Sequence, residues 1–190
     1  MNLLFKKFLA AGLEASSLVI FLVYLQLWPP QVRADWLPLY GWASAAGLFA
    51  LAVPLAQRTR VNPIFLGIQC YFVSGFLALW LAFDWLNDLY GLLRGAAMLG
   101  WVLLLGLAYS LCSRGGFVGA DPVGFWTRGQ QSLLLLTICS GCLALALGFA
   151  QSRLLGEFVP FMLLFSAQNL LLGINRRFAA TRTISSSGAT

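Results

Sequence analysis

The chain has 190 residues, of which 60% are hydrophobic and only 9% are charged, and it contains no His. A soluble domain is about 25% charged and must cover its core with polar surface, so this composition excludes an ordinary soluble domain and a disordered chain. The missing His side chains exclude His-ligated haem, His-containing zinc sites and Ser-His-Asp catalysis. The composition therefore predicts an integral membrane protein, with no nucleic-acid partner despite a net charge of +6.

The apolar segments predict an all-α, polytopic transmembrane helical bundle. A spanning helix needs about 20 mostly apolar residues. Six segments meet this requirement, and in chain order they are Leu9–Trp28, Leu37–Ala56, Ile64–Phe83, Leu89–Leu111, Gln130–Ala150 and Leu154–Gly173. Residues 1–178 are expected to form one membrane domain. The polar residues 179–190 are expected to form a disordered cytoplasmic tail.

The distribution of basic residues predicts the orientation of these spans. With the N-terminus inside, nine of the twelve Lys and Arg residues fall on the inner side, and both termini are cytoplasmic. Most of them form a predicted rim for anionic lipid headgroups, namely Lys6, Lys7, Arg58, Arg60, Arg114, Arg128 and Arg177. The net charge of +6 is thus a topology signal.

Two stretches of the chain resemble each other. Ser74–Phe83 and Ser140–Phe149 match at seven of ten positions, and each follows an inner loop with an Asn-Pro or Asp-Pro pair, Asn62–Pro63 and Asp121–Pro122. Such pairs favour a helix start, with the cap first and Pro at the first helical position. Two interpretations remain open. One is a duplicated hairpin, and the other is chance similarity between Leu- and Ala-rich membrane helices.

Polar residues inside apolar segments define a candidate intramembrane site. Glu14 lies about two turns into the first span, and we expect it to pair with Arg176 or Arg177 or to reach the inner headgroups. Gln69 and Gln168 are further polar side chains within the spans. The predicted site consists of Glu14, Gln69, Gln168 and Arg176. Amides in such positions join helices by hydrogen bonds or line a cavity.

Two pairs of residues have spacings that occur in enzymes. Cys139 and Cys142 form a Cys-x-x-Cys, which is redox-active in thiol oxidoreductases, but an apolar helix disfavours the thiolate. Packing is therefore the favoured interpretation. Asp84 and Asp88 lie one helical turn apart and could share a cation, as in metal-dependent lipid transferases, or could simply form an acidic outer helix end. We predict no catalytic residue, cofactor or metal.

Two segments resemble a known family. Arg60–Gly75, RVNPIFLGIQCYFVSG, is similar to the start of a central helix in the bacterial intracellular septation protein A family, with Asn62 where that family usually has Lys. Phe125–Leu143, FWTRGQQSLLLLTICSGCL, resembles the family's Trp-containing loop and the helix after it. The resemblance implies a small inner-membrane protein of envelope biogenesis and cell division. It carries no catalytic residue over to this chain.

Two functions are consistent with these features. The favoured one is a non-enzymatic inner-membrane protein that associates with envelope-biogenesis proteins, with lipids or with further copies of itself. The alternative is a small carrier or flippase-like transporter of an amphipathic substrate, since repeats often frame a central site. A membrane enzyme acting through the Cys or Asp pair is the third and weakest hypothesis.

Overall fold

The computed structural model describes residues 16–57, 61–113, 116–118, 127–152 and 154–187. Within these ranges the regular structure is helical and contains no strand, which confirms the all-α prediction. A 3₁₀ turn at Arg33–Asp35 and a π-helical turn at Leu154–Phe158 each precede an α-helix. The helices are α1 (Ser16–Leu27), α2 (Trp36–Ala56), α3 (Pro63–Trp80), α4 (Asp84–Leu93), α5 (Gly95–Cys112), α6 (Arg128–Gly148) and α7 (Val159–Ser187).

Five helical segments of the described chain are long and apolar enough to cross a membrane. They are Arg33–Ala56, Pro63–Trp80, Gly95–Cys112, Gly129–Gly148 and Leu154–Asn175. The described part of the first predicted span, α1, is a shorter apolar helix, and residues 1–15 lie outside the described ranges. Five helices therefore have the length and composition that a membrane span requires, while the sixth span and the orientation stay predictions.

The fourth predicted span, Leu89–Leu111, does not form one helix. The backbone breaks at Arg94, which has φ 49° and ψ −125°, so α4 ends at Leu93 and a new helix, α5, begins at Gly95. Hydropathy does not reveal this break, because the residues before Arg94 include Leu89, Leu92 and Leu93 and the helix after it is also apolar. The helix that is long and apolar enough to cross a membrane is Gly95–Cys112.

Both ends of α3 are fixed by local hydrogen bonds. The Oδ1 of Asn62 accepts a hydrogen bond from the backbone N–H of Ile64 at 3.0 Å, so Asn62 caps the helix and Pro63 takes its first position, as predicted. At the other end the Phe83 N–H donates to Ala78 O and the Ala82 N–H donates to Leu79 O. This is a Schellman motif with Ala82 at the left-handed position, φ 54°.

Replacing Ala82 with Gly is expected to stabilise the fold by about 0.5–1 kcal/mol. A left-handed conformation costs a residue with a Cβ about 1–2 kcal/mol, and the greater freedom of Gly in the unfolded chain offsets part of the gain. The matched control is Ala144→Gly, an exposed alanine in α6, which should destabilise the protein. Unfolding in mixed micelles, followed by circular dichroism, measures both effects, and a loss of stability in Ala82→Gly would contradict the cap assignment.

The described residues divide into two compact units between Leu93 and Arg94, with Asn62–Ile64 belonging to the second. Unit 1 contains α1, α2, nearly all of α3, and α4. One part of its core is formed by Ala50, Leu51 and Phe65. Unit 2 contains α5, α6, the π turn and α7. There the buried ring of Phe117 lies against Gly106, and the Phe117 N–H donates to Ser132 Oγ at 3.0 Å.

The start of α7 is shaped by Pro160. Proline has no N–H, so the carbonyl of Gly156 loses its usual helical donor, and the chain forms a π-helical turn over Leu154–Phe158 before α7 begins at Val159. Gly95 packs at this turn, since a Cβ added there would lie 3.1 Å from Gly156 O. The backbone of α7 then stays helical to Ser187, beyond position 178, where the sequence placed the end of the membrane domain.

Candidate functional site

The predicted intramembrane site includes two residues whose side chains the structure describes, Gln69 on α3 and Gln168 on α7. Both are buried, with exposed fractions of 2% and 3%, so neither faces lipid. Gln69 belongs to unit 1 and Gln168 to unit 2, and each is bonded to a different partner. Glu14 and the side chain of Arg176 lie outside the described residues.

The polar cluster of unit 1 is centred on Gln69. Its Nε2 donates a hydrogen bond to Ser17 Oγ on α1, and its amide lies directly against Gly47 on α2. Ser44 is one helical turn from Gly47, on the same face of α2. Among the described residues, the Oε1 of Gln69 and the Oγ of Ser44 are buried without a hydrogen-bond partner. The cluster therefore holds two polar atoms with unused hydrogen-bonding capacity.

A tyrosine cluster lies further along the same unit. The hydroxyls of Tyr40 and Tyr71 are 2.6 Å apart, the hydroxyl of Tyr90 is 2.7 Å from Ser74 Oγ, and the rings of Tyr71 and Tyr90 are 5.0 Å apart. All three tyrosines are buried. Gly75 makes room for this arrangement, because a Cβ there would lie 2.6 Å from the Tyr40 ring. The cluster joins α2, α3 and α4 through bonded hydroxyls.

Unit 2 contains two reciprocal amide pairs on one face of α7. Gln131 Nε2 donates to Asn175 Oδ1 at 2.8 Å, and Asn175 Nδ2 donates back to Gln131 Oε1 at 3.0 Å. Gln168 Nε2 donates to Asn62 Oδ1 at 2.9 Å, and Asn62 Nδ2 is 3.4 Å from Gln168 Oε1. Gln168 and Asn175 are seven residues apart, which is two helical turns. These pairs satisfy amides that would otherwise be costly in a membrane interior.

Gln168 can be identified from the sequence, but neither its partner Asn62 nor the pair of Gln131 and Asn175 can. The available signal was the seven-residue spacing of two amides on one apolar helix. Their partners could not be read from the chain, since 44 residues separate Gln131 from Asn175 and 106 separate Asn62 from Gln168.

Asn175→Ala is expected to destabilise the protein by about 1–2 kcal/mol, because it leaves the buried amide of Gln131 without its reciprocal partner. Asn169→Ala is the matched control, since Asn169 lies on the same helix but is exposed. The double variant Gln131→Leu/Asn175→Leu removes both polar groups and should recover part of the loss. Unfolding in mixed micelles provides the comparison. Equal losses for the two asparagines would contradict the pairing.

The Cys and Asp pairs occupy different surroundings. Cys139 and Cys142 are free thiols buried on α6, and Cys139 Sγ is 4.0 Å from Leu99 O on α5. Asp84 is exposed and forms an ion pair with Arg33 at 2.7 Å. Within the described ranges, no group of three or more His, Cys, Asp or Glu residues is placed to hold a metal ion.

The predicted basic rim falls on parts of the chain that the structure leaves out. Lys6, Lys7, Arg58, Arg60 and Arg114 lie outside the described residues, as do the side chains of Arg128 and Arg177. Two basic residues of the opposite predicted side are described. Arg33 pairs with Asp84, and Arg94 donates from Nη1 to Ala150 O at 3.1 Å. Headgroup binding by the rim thus stays a prediction.

No protein-family model, no curated protein and no solved structure matches this chain. The resemblance to the septation protein A family therefore stays a prediction that these comparisons do not test.

Proposed function

We propose that this chain is a multi-pass inner-membrane protein that acts without enzymatic chemistry, by associating with envelope-biogenesis proteins or with lipids. The observation that supports this is the distribution of polarity. The buried amides of the helices, Gln69, Gln131, Gln168 and Asn175, are each hydrogen-bonded to another side chain. Large apolar side chains face outward, as Phe49 and Leu133 do with exposed fractions of 69% and 66%.

This distribution suits a bilayer and not water. A soluble monomer rarely exposes contiguous apolar patches larger than a few hundred Å². In the hydrocarbon core of a bilayer the same apolar side chains contact lipid tails favourably, and any polar group needs a hydrogen-bond partner inside the protein. The reciprocal amide pairs of α7 satisfy that requirement within unit 2. These hydrogen-bonded amides contribute to helix packing. The outer apolar faces of the helices then contact lipid or other membrane helices.

The proposed orientation follows from the charge bias of the sequence. Nine basic residues lie on the cytoplasmic side in the six-span arrangement, and both termini are cytoplasmic. The basic rim then faces the anionic headgroups of the inner leaflet, where each Lys or Arg contributes about 1 kcal/mol. The resemblance to the septation protein A family supports the same setting, an inner membrane where envelope proteins assemble.

A carrier for an amphipathic substrate is the second candidate. It is favoured by the two buried polar atoms of unit 1 that have no partner among the described residues, Gln69 Oε1 and Ser44 Oγ. A water-filled path or a bound substrate would satisfy them. If such a path exists, Ser44→Cys will react with a membrane-impermeant thiol reagent while the lipid-facing control Phe49→Cys will not. A Ser44→Cys variant that stays unlabelled argues against the carrier.

Native mass spectrometry of the protein extracted in nanodiscs tests the leading proposal. We expect the chain to retain specific lipids, or to be recovered as an oligomer or with a reproducible membrane-protein partner. An unrelated multi-pass protein extracted in the same way provides the background. A bare monomer, with no lipid or partner above that background, would contradict the association function.

A further inference from the structure

Helix α4 is too short to cross a membrane, and it lies between two segments that are long enough. Its ten residues, Asp84–Leu93, extend about 15 Å, roughly half the hydrocarbon thickness. Three residues separate α4 from the end of α3, and only Arg94 separates it from the start of α5. In the chain, α4 therefore connects two helices that both have span-like windows.

One face of α4 is fixed to α3. The Tyr90 hydroxyl is 2.7 Å from Ser74 Oγ, and the Tyr90 ring packs on Tyr71 at 5.0 Å. The Asn87 Nδ2 donates to the carbonyl of Ala78 at 3.0 Å, near the end of α3. An ion pair between Asp84 and Arg33 adds a contact to the turn before α2. These contacts fix the rotation of α4 about its own axis.

The rest of the helix surface divides into a polar face and an apolar face. At 100° per residue, Asp84, Asp88 and Gly91 lie on one side of the helix. Trp85, Leu89 and Leu92 lie on another side, about 100° around the helix axis from the first. Both sets are exposed, and Trp85 and Leu92 are exposed by 69% and 75%. A helix in water would not present such an apolar face next to an acidic one.

We propose that α4 is an in-plane interfacial helix whose Trp85, Leu89 and Leu92 insert into the acyl–headgroup boundary of the bilayer, with Asp84 and Asp88 in the water above. The inference rests on the proposed membrane setting. An amphipathic helix of this kind buries its apolar face about 5–10 Å into the leaflet. Trp favours that depth because its ring is apolar and its N–H can bond to headgroups or water.

Lipid is the occupant that best fits this face. The exposed Trp80, Leu81 and Phe83 directly precede α4 in the chain, so large apolar side chains are exposed at the end of the span-like helix α3 as well as on α4. The acidic residues border the apolar face of α4, as the polar edge of an interfacial helix requires. Their carboxylates are negatively charged and would be repelled by anionic headgroups, so a zwitterionic phosphatidylcholine leaflet is the matching surface.

Site-directed spin labelling in phosphatidylcholine nanodiscs tests the proposal. In a background with the native cysteines replaced, nitroxides are placed by Leu89→Cys and Leu92→Cys on the apolar face and by Asp88→Cys and Gly91→Cys on the polar face. Leu104→Cys, on the exposed surface of α5, is the membrane control. We expect positions 89, 92 and 104 to collide mainly with oxygen, which partitions into lipid. Positions 88 and 91 should collide mainly with a water-soluble nickel complex.

Two outcomes would overturn the assignment. If positions 89 and 92 are as accessible to nickel as 88 and 91, α4 lies in water. If they are shielded from both reagents, protein and not lipid covers the face. In either case an oxygen-accessible position 104 would leave the membrane setting intact, whereas nickel access at 104 would contradict that setting itself.

A second measurement serves if the cysteine-free background does not fold. Photoreactive benzoylphenylalanine replaces Leu89 or Asp88 in the chain with its native cysteines, and irradiation in the same nanodiscs is followed by mass spectrometry. Lipid adducts are expected at position 89 and not at position 88. Equal adduct formation at the two positions would overturn the assignment.

Discussion

Replacing Gly47 with Ala is expected to lower the free energy of unfolding by about 2–4 kcal/mol. A Cβ at this position would overlap the amide of Gln69, which is fully buried and bonded to Ser17. The amide cannot move aside without losing that bond, so the cost combines overpacking with a stranded buried polar group. Equilibrium unfolding in mixed micelles measures the loss.

A double variant separates this clash from a general effect of Ala in the helix. Gln69→Ala removes the amide that the new Cβ would meet, so Gly47→Ala/Gln69→Ala should be more stable than Gly47→Ala alone. Gly100→Ala is the matched control, because nothing lies within 4 Å of a Cβ built there. Equal losses of unfolding free energy for Gly47→Ala and Gly100→Ala would contradict the packing of Gln69 against Gly47. A double variant that is less stable than Gly47→Ala alone would also contradict it.

Gly156→Ala is the second large effect, with an expected loss of about 3 kcal/mol. Its Cβ would lie 2.5 Å from Phe149 O and 3.1 Å from Phe149 C, so the obstacle is main chain and cannot rotate away. The π-helical turn around Gly156 is set by Pro160 and packs on Gly95, which leaves little room for the backbone to shift. The loss should appear in thermal unfolding followed by circular dichroism.

The control for Gly156 is Gly173→Ala on α7, which places its Cβ in open space. Because Ala favours a helix over Gly by about 1 kcal/mol, this variant should be neutral or slightly stabilising. Similar unfolding temperatures for Gly156→Ala and the unmodified protein would show that the turn is looser than its geometry indicates.

The helical class and most of the span positions could be predicted from the sequence because they depend on local hydrophobicity and length. Capping could be predicted for the same reason, as Asn62–Pro63 does begin α3. The start of α6 is also local, since Thr127 and Gln130 form a reciprocal capping box. The expected Asp121–Pro122 start lies outside the described residues, so the hairpin duplication remains a prediction.

The break at Arg94 could not be predicted from hydropathy, because Arg94 is a single charged residue in an otherwise apolar stretch that is long enough to span a membrane. The separate helix α4 is set by tertiary contacts, chiefly the bonds of Tyr90 to Ser74 and of Asn87 to Ala78. Its three faces become distinguishable only when the packed face is known. An amphipathic pattern over ten residues otherwise looks like the outer end of a longer span.

The sequence indicates that Gln69 and Gln168 need hydrogen-bond partners, but it does not indicate which residues those partners are. A buried amide in an apolar helix must find a partner, so Gln69 and Gln168 were identified by residue type alone. Which group becomes the partner depends on how distant helices pack. That is why Ser17 and Asn62 emerged only from the structure.

We propose that the chain crosses the membrane six times, with its basic loops and both termini in the cytoplasm. Paired reporters, one active only in the cytoplasm and one only outside it, test this topology when fused after Arg60, Gly119 and Thr190, with a fusion after Asp88 as the external reference. Cytoplasmic signals are expected at the first three positions and an external signal at the fourth. An external signal after Arg60, Gly119 or Thr190 would contradict it.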